Sequence, residues 1–316
     1  MTAAAVPQRR PRPRRLPQTL QIVLANRPAV VGIAILSFFL FEAVVGPFIV
    51  GPVDRAGAFR ALLDPSSGHL FGTDRSGRDL LRTNVAGAQI SLLIGVVASA
   101  LTMVIGTLVG IVAGFLGGRW DMWLMRITDF FYVLPTLVLA VVLAAILGPN
   151  LFNVIIVIGI TSWPSTARII RSQTLSLRER MFVDRSRAYG ASNARIMRRQ
   201  ILPNVFGLVM ANTTLTVASS IFLETTLSFL GVGPHDTYSW GRILEESFDS
   251  GALTLGRWAW FVPPGLSVVL VVLAFTLIGG ALDEVFDPRL RAREGAHGGE
   301  IVPPQLEAAL ETPVAR

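Results

Sequence analysis

Lysine and cysteine are absent from the 316 residues, and histidine occurs only at His69, His235 and His297. Each shortage removes a class of chemistry. A phosphate-binding Walker A loop needs a lysine to reach the β- and γ-phosphates, so the chain is not itself a P-loop ATPase. Without thiols there is no disulfide, thiolate zinc site or iron–sulfur cluster. None of the histidines lies in an apolar run, which leaves a metalloprotease or Ser–His hydrolase working inside a bilayer without its base. Charge is also scarce: 16% of residues are charged and 52% hydrophobic, against about 25% charged in soluble domains. The net charge of +7 is carried by arginine alone. This balance is that of a membrane protein.

A spanning helix needs about 20 mainly apolar residues. Six runs qualify: 29–50, 89–116, 122–147, 151–170, 205–232 and 260–282. The fourth passes into TSWPSTARII. There Thr161, Ser162, Ser165 and Thr166 are tolerable if they face other helices, and Pro164 is expected to kink the helix or loosen its hydrogen bonding. The first run is too long for a signal-peptide core and no A-x-A-type site follows it cleanly, so it reads as an uncleaved anchor. Residues 1–28 form a Pro/Arg-rich head, expected to be disordered and to favour anionic lipid over nucleic acid. Residues 291–316 read as a second disordered tail.

Arginine in the short connections sets orientation. With both termini cytoplasmic, the connections 117–121 and 171–204 and the tail lie inside, and 51–88, 148–150 and 233–259 lie outside. The inside set holds Arg119, the arginines of 171–204, and Arg289, Arg291 and Arg293. The outer connection 51–88 is less tidy, with five arginines of its own.

The connection 171–204 contains DRSRAYGASNARIMRRQILPN, from Asp184 to Asn204. Ser192 and Asn193 are good N-cap types. Arg195 and Arg199 lie at i, i+4 beside Arg198, giving one basic helical face. Gly190 permits a turn between two short helices, and Pro203 suits the first turn of the next span. The segment therefore reads as helix–turn–helix along the cytoplasmic surface, shaped to press on something soluble.

This stretch resembles the cytoplasmic-loop signature of ATP-binding cassette importer permeases, with Asp184 as its acidic residue, Gly190 as its glycine and Leu202–Pro203 as its closing pair. It departs where two alanines are expected, having Arg185 and Ser186. HLFGTDRSGRDLL (69–81), GFLGGRWDMWLMRITDFFYVLP (114–135), LETTLSFLGVG (223–233), SWGRIL (239–244) and LDEVFDPRLR (282–291) resemble further blocks of the dipeptide, oligopeptide and nickel permeases, and of their second, C-type subunit, in collinear order. The resemblance implies an all-α, six-span fold of the type I importer class, in a bacterial cytoplasmic membrane, with a core at 89–290. It implies partners too: a homologous second permease, two ATPase subunits and an extracytoplasmic binding protein. ATP and Mg would bind those ATPases, and this chain would hold no cofactor or metal of its own and be non-catalytic. The short loop helix would be the coupling helix, docking in a groove on an ATPase. Asp184, Arg187, Ala188, Gly190, Ala191, Ser192 and Arg195 are its expected contacts. For Arg195, Arg198 and Arg199 the alternative is that they only fix topology. The cargo implied is a short peptide, or alternatively nickel or another small solute. An ion-coupled secondary transporter is a rival that would need coupling carboxylates and inverted repeats, and no convincing repeat is visible.

Polar residues inside spans cost at least about 2.5 kcal/mol each on insertion scales. Glu224 stands beside Thr225, Thr226 and Ser228, and has two readings: a pathway carboxylate, with Thr161, Ser162 and Ser228 as companions, or a partnered group joining two spans. Asp129 is expected to pair with Arg126 at i, i+3. Glu42 has no evident partner. Gly106, Gly110 and Gly114 share one helical face, a spacing that permits close helix approach. Thr73 and Asp74 are candidate caps for the helix entering the second span. A short outer helix is expected to start near Ser239, either capping the bundle or meeting a binding protein.

Overall fold

A computed structural model describes residues 26–286; the 291–316 tail and nearly all of the basic head lie outside them. Among the described residues there are helices and no strand, with a single isolated bridge between Thr73 and Asp79. The elements are α1 (Arg27–Val50), α2 (Leu80–Leu116), α3 (Gly118–Val133), α4 (Thr136–Leu147), α5 (Leu151–Arg178), α6 (Met181–Ala188), α7 (Asn193–Ile196), a π-helical turn (Met197–Ile201), α8 (Leu202–Phe229), α9 (Trp240–Asp249) and α10 (Trp258–Phe286). Among the described residues five continuous helices are long and apolar enough to cross a membrane, and α3 with α4 passes the same test as a bent pair.

Several boundaries differ from the sequence expectation, and α5 runs on to Arg178 instead of ending at Ile170. The second span begins at Leu80, nine residues before Gln89, because Asp79 caps it: its Oδ1 accepts from the Leu81 and Arg82 amides. Thr73 and Asp74 are not the caps. The Thr73 hydroxyl donates to the Arg60 carbonyl, and Asp74 accepts from the Ser76 and Arg78 amides, so both fold the preceding loop instead. The third span is not one helix. At Leu134–Pro135 the chain turns by 89°, since proline removes an amide and restrains the residue before it. Pro164, in contrast, sits inside an uninterrupted α5.

The glycine spacing finds its partner in α5. A Cβ on Gly106 would lie 2.6 Å from Thr166 Cβ, on Gly110 2.7 Å from the Ala167 carbonyl oxygen, and on Gly114 2.8 Å from the Arg171 carbonyl oxygen. Position advances in the same sense on both helices, so α2 and α5 run parallel with their backbones in contact. α8 runs antiparallel to α2, with Ile221 at Gly95 and Asn212 and Thr216 at Met103. α4 crosses this frame, burying Ala140 and Ala144 against Ile94, Ala98, Ile158 and Leu227.

The connections gather at two opposite ends of the bundle. At one end, residues 51–79 meet 230–257 through Arg257–Asp64 and through Arg78 over the Tyr238 ring. At the other, the termini of α2 and α5 meet the 179–192 segment, with Phe115, Ile170, Val183, Ile196 and Ile201 in one buried cluster.

Candidate functional site

Residues 179–192 form an elbow whose shape follows from its backbone chemistry. α6 ends in a Schellman closure: the Gly190 amide bonds to the Arg187 carbonyl and the Ala191 amide to the Ser186 carbonyl. Gly190 is left-handed, φ 74°, which glycine adopts without strain. Ser192 then occupies the N-cap of α7 through its backbone, without a side-chain bond. The expected helix–turn–helix is therefore present, but its second helix is short and passes through a π turn directly into α8. Pro203 falls in the first turn of α8, as expected.

The elbow is fixed to the bundle on one side and open on the other. Val183 and Ile196 are fully buried beside Phe115. Arg187 lies over the Phe115 ring at 5.5 Å and 3.4 Å from Asp184. Ser186, one of the two departures from the resemblance, has a structural use: its hydroxyl donates to the Phe182 carbonyl and accepts from Gln200 Nε2 in the π turn, tying the two halves together. On the open side stand Asp184, Arg187, Ala188, Gly190, Ser192 and Arg195, while Ala191 is half-buried against the core. The sequence reading missed the most projecting side chains, Tyr189 at 91% exposure and Met181 at 73%. Both lie in the quoted motif's neighbourhood, yet nothing in their spacing distinguishes an apolar tip from a core residue.

Glu224 belongs to the opposite end and is fully buried. Its Oε1 accepts from Ser228 at 2.7 Å and its Oε2 from Ser91 on α2 at 3.2 Å. The Ser91 oxygen also accepts the Trp240 amide at 3.1 Å, and the Trp240 indole N–H donates to the Asn84 carbonyl. One carboxyl thus joins α2 and α8 and reaches the first turn of α9, which begins at the N-cap Ser239 as expected. Glu224 and its three candidate pathway companions do not share a surface. Thr161 is buried and donates to the Val157 carbonyl of its own helix, and Ser162 alone is partly exposed. They lie level with residues 101–106 of α2, and Glu224 lies level with Ser91. Ten or more residues separate those levels, about 15 Å at the helical rise.

Two further expectations about charge are corrected. Asp129 pairs with Arg168 of α5 at 2.6 Å and not with Arg126, because α3 lies along α5. Glu42 has a partner in the adjoining helix, Asn84 Nδ2 at 3.4 Å.

Residues 106–292 match the family described as binding-protein-dependent transport system inner membrane component. The chain is 38% identical over 268 residues to the dipeptide transport system permease protein DppC of Bacillus subtilis, covering 84% of this chain and 83% of that protein. It is 36% identical over 269 residues to the oligopeptide transport system permease protein OppC of the same organism, covering 84% and 87%.

Proposed function

Because the chain belongs to the binding-protein-dependent transport system inner membrane components, we propose that it carries short peptides through the membrane as the second permease of an ATP-driven importer. It is a multi-pass membrane permease of the ABC importer class. Its cargo is read from the dipeptide and oligopeptide permeases it resembles over most of their length. A homologous permease, two ATPase subunits and an extracytoplasmic binding protein complete the machine. Both termini face the cytoplasm, so the 179–192 elbow is inside and the 51–79 and 230–257 loops are outside.

One observation supports the coupling role above all: the elbow is anchored through Val183 and Ile196 into the base of α2, α5 and α8, with an apolar, charged tip left open. A push on that tip reaches the spans as a rigid-body displacement, the mechanical form that domain switching takes. Asp184, Arg187, Ala188, Gly190, Ala191, Ser192 and Arg195 are the proposed contact set, with Tyr189 and Met181 added as apolar anchors. Aromatic anchors dominate such helix-in-groove contacts. Nucleotide chemistry stays on the partner chains, and this subunit is non-catalytic. Glu224 holds the outer end of the bundle together.

Purification tests the reading. The chain should come out of the membrane with ATPase subunits, and peptide uptake in liposomes should need them and ATP. Uptake by this chain alone, driven by a proton gradient and insensitive to vanadate, would replace the importer with a secondary transporter.

A further inference from the structure

Two arginines lie nearly one turn apart on α5 and are held differently. Arg171 is closed on Asp121 of α3 by two parallel bonds, Nε to Oδ1 at 2.5 Å and Nη2 to Oδ2 at 2.6 Å. Arg168 gives Asp129 one bond, from Nη2 at 2.6 Å, and its guanidinium carbon stands 3.8 Å from the Tyr132 ring centroid. Its side chain is 41% exposed and that of Asp129 53%. Arg168 lines a shallow, open groove together with Ile169, Ser172, Gln173 and Leu208, which bridges α5 and α8.

The position makes this costly. Ala167 is level with Gly110 of α2, six residues from the end of that span at Leu116, or about 9 Å at the helical rise. A charged pair on a membrane-spanning helix faces water, protein or the interface rather than hydrocarbon. The groove supplies a serine hydroxyl and a glutamine amide beside the cation, and no carboxylate lines it. A guanidinium fork matches a carboxylate in two-bond geometry, and a ring beneath it holds the plane of the fork without using its N–H groups.

We infer that Arg168 is a carboxylate-binding residue of the translocation surface, its guanidinium taking the C-terminal carboxylate of a passing peptide in the α5–α8 groove. The inference rests on the peptide reading above. Tyr132 fixes the guanidinium, and Asp129 competes for it with a single bond, so the peptide is released instead of trapped. Arg171, already held by Asp121 in two-bond geometry, is the structural clasp between α3 and α5.

The test uses the complete importer in liposomes, with a tripeptide bearing a free C-terminus and the same tripeptide as its C-terminal amide. Arg168→Gln should lower free-acid uptake by about tenfold, the scale of one charge-assisted contact, and leave uptake of the amide, which lacks the carboxylate, unchanged. The ratio between wild type and variant cancels any preference of the binding protein. Asp129→Asn, which frees the cation, should keep free-acid uptake or raise it. Equal loss of both peptides in Arg168→Gln, or the same loss in Asp129→Asn, makes the pair a structural clasp and overturns the inference. So does unchanged free-acid uptake in Arg168→Gln. If the amide is not carried by the wild type, the Asp129→Asn arm decides. A wild-type importer that hydrolyses ATP and takes up neither peptide removes the peptide reading, and this inference with it.

Discussion

Ser91 and Glu224, 133 positions apart in the chain, meet at 3.2 Å in the buried seam between α2 and α8. The serine hydroxyl serves two masters there, donating to the carboxyl and accepting the Trp240 amide. The carboxyl bonds to Ser228 of its own span and Ser91 of α2, and through Ser91 the network reaches α9. Removal of the carboxyl leaves the Ser91 and Ser228 hydroxyls without their acceptor, and a buried unpaired polar group costs about 1–3 kcal/mol. Glu224→Ala should therefore lower the unfolding temperature of the purified assembly, whereas Glu224→Gln, which keeps an acceptor oxygen, should lose much less. If Glu224→Gln abolished uptake while leaving the unfolding temperature unchanged, the carboxyl would be acting on cargo.

The contact of α2 with α5 is set by what the glycines omit. At Gly110 the nearest atom to an added Cβ is a backbone carbonyl, 2.7 Å away, which cannot rotate aside. Gly110→Leu should cost more than the ~1–3 kcal/mol typical of overpacking, seen as poor membrane accumulation. Gly280, around which a Cβ would meet nothing within 4 Å, should tolerate alanine with full expression.

How much of this was legible in the residues follows from range. The spans were visible because about twenty apolar residues in a row carry their own signal. The turn at Gly190 and the cap at Ser239 were visible because both are local devices. The first nine residues of α2 were not. LLRTNVAGA reads as loop because its polar groups look solvated, yet Thr83 and Asn84 are buried and the Asn84 carbonyl receives the Trp240 indole. Likewise Asp129 had a plausible partner three residues away, and the tertiary partner lay 39 positions on. The right angle at Pro135 requires the packing of α4 across α2, α5 and α8, which no single segment encodes.

Glu245 on α9 gives the molecule a dependence on pH. Burial raises its carboxyl above the ordinary 4.5, Arg242 and His235 oppose that, and Asp249 and Glu246 add to it. An acid whose folded value is raised binds its proton more tightly in the folded state, so stability is lost as pH rises through the ordinary value towards the raised one. The unfolding temperatures of wild type and Glu245→Gln should coincide below pH 4.5 and separate above it, with the variant the more stable at pH 7. Coincident curves at pH 7 would show the carboxyl to be fully solvated.

The elbow offers the sharpest separation of shape from contact. A Cβ at Gly190 would touch nothing within 4 Å, so any penalty there comes from φ 74° alone. Holding a β-branched residue in that conformation costs about 1–2 kcal/mol, and asparagine tolerates it far better. Gly190→Val should open the Schellman closure and turn the tip away from its partner, raising the ATP consumed per peptide several-fold with the spans still inserted; Gly190→Asn should remain near wild type. Tyr189→Ala leaves that backbone untouched and removes only the most exposed aromatic at the tip. If the tip is an anchor, this variant should lose ATPase subunits during purification while keeping its own unfolding temperature. Retention of the ATPase by both Tyr189→Ala and Gly190→Val, with unchanged coupling, would place the force-bearing contact elsewhere on the chain.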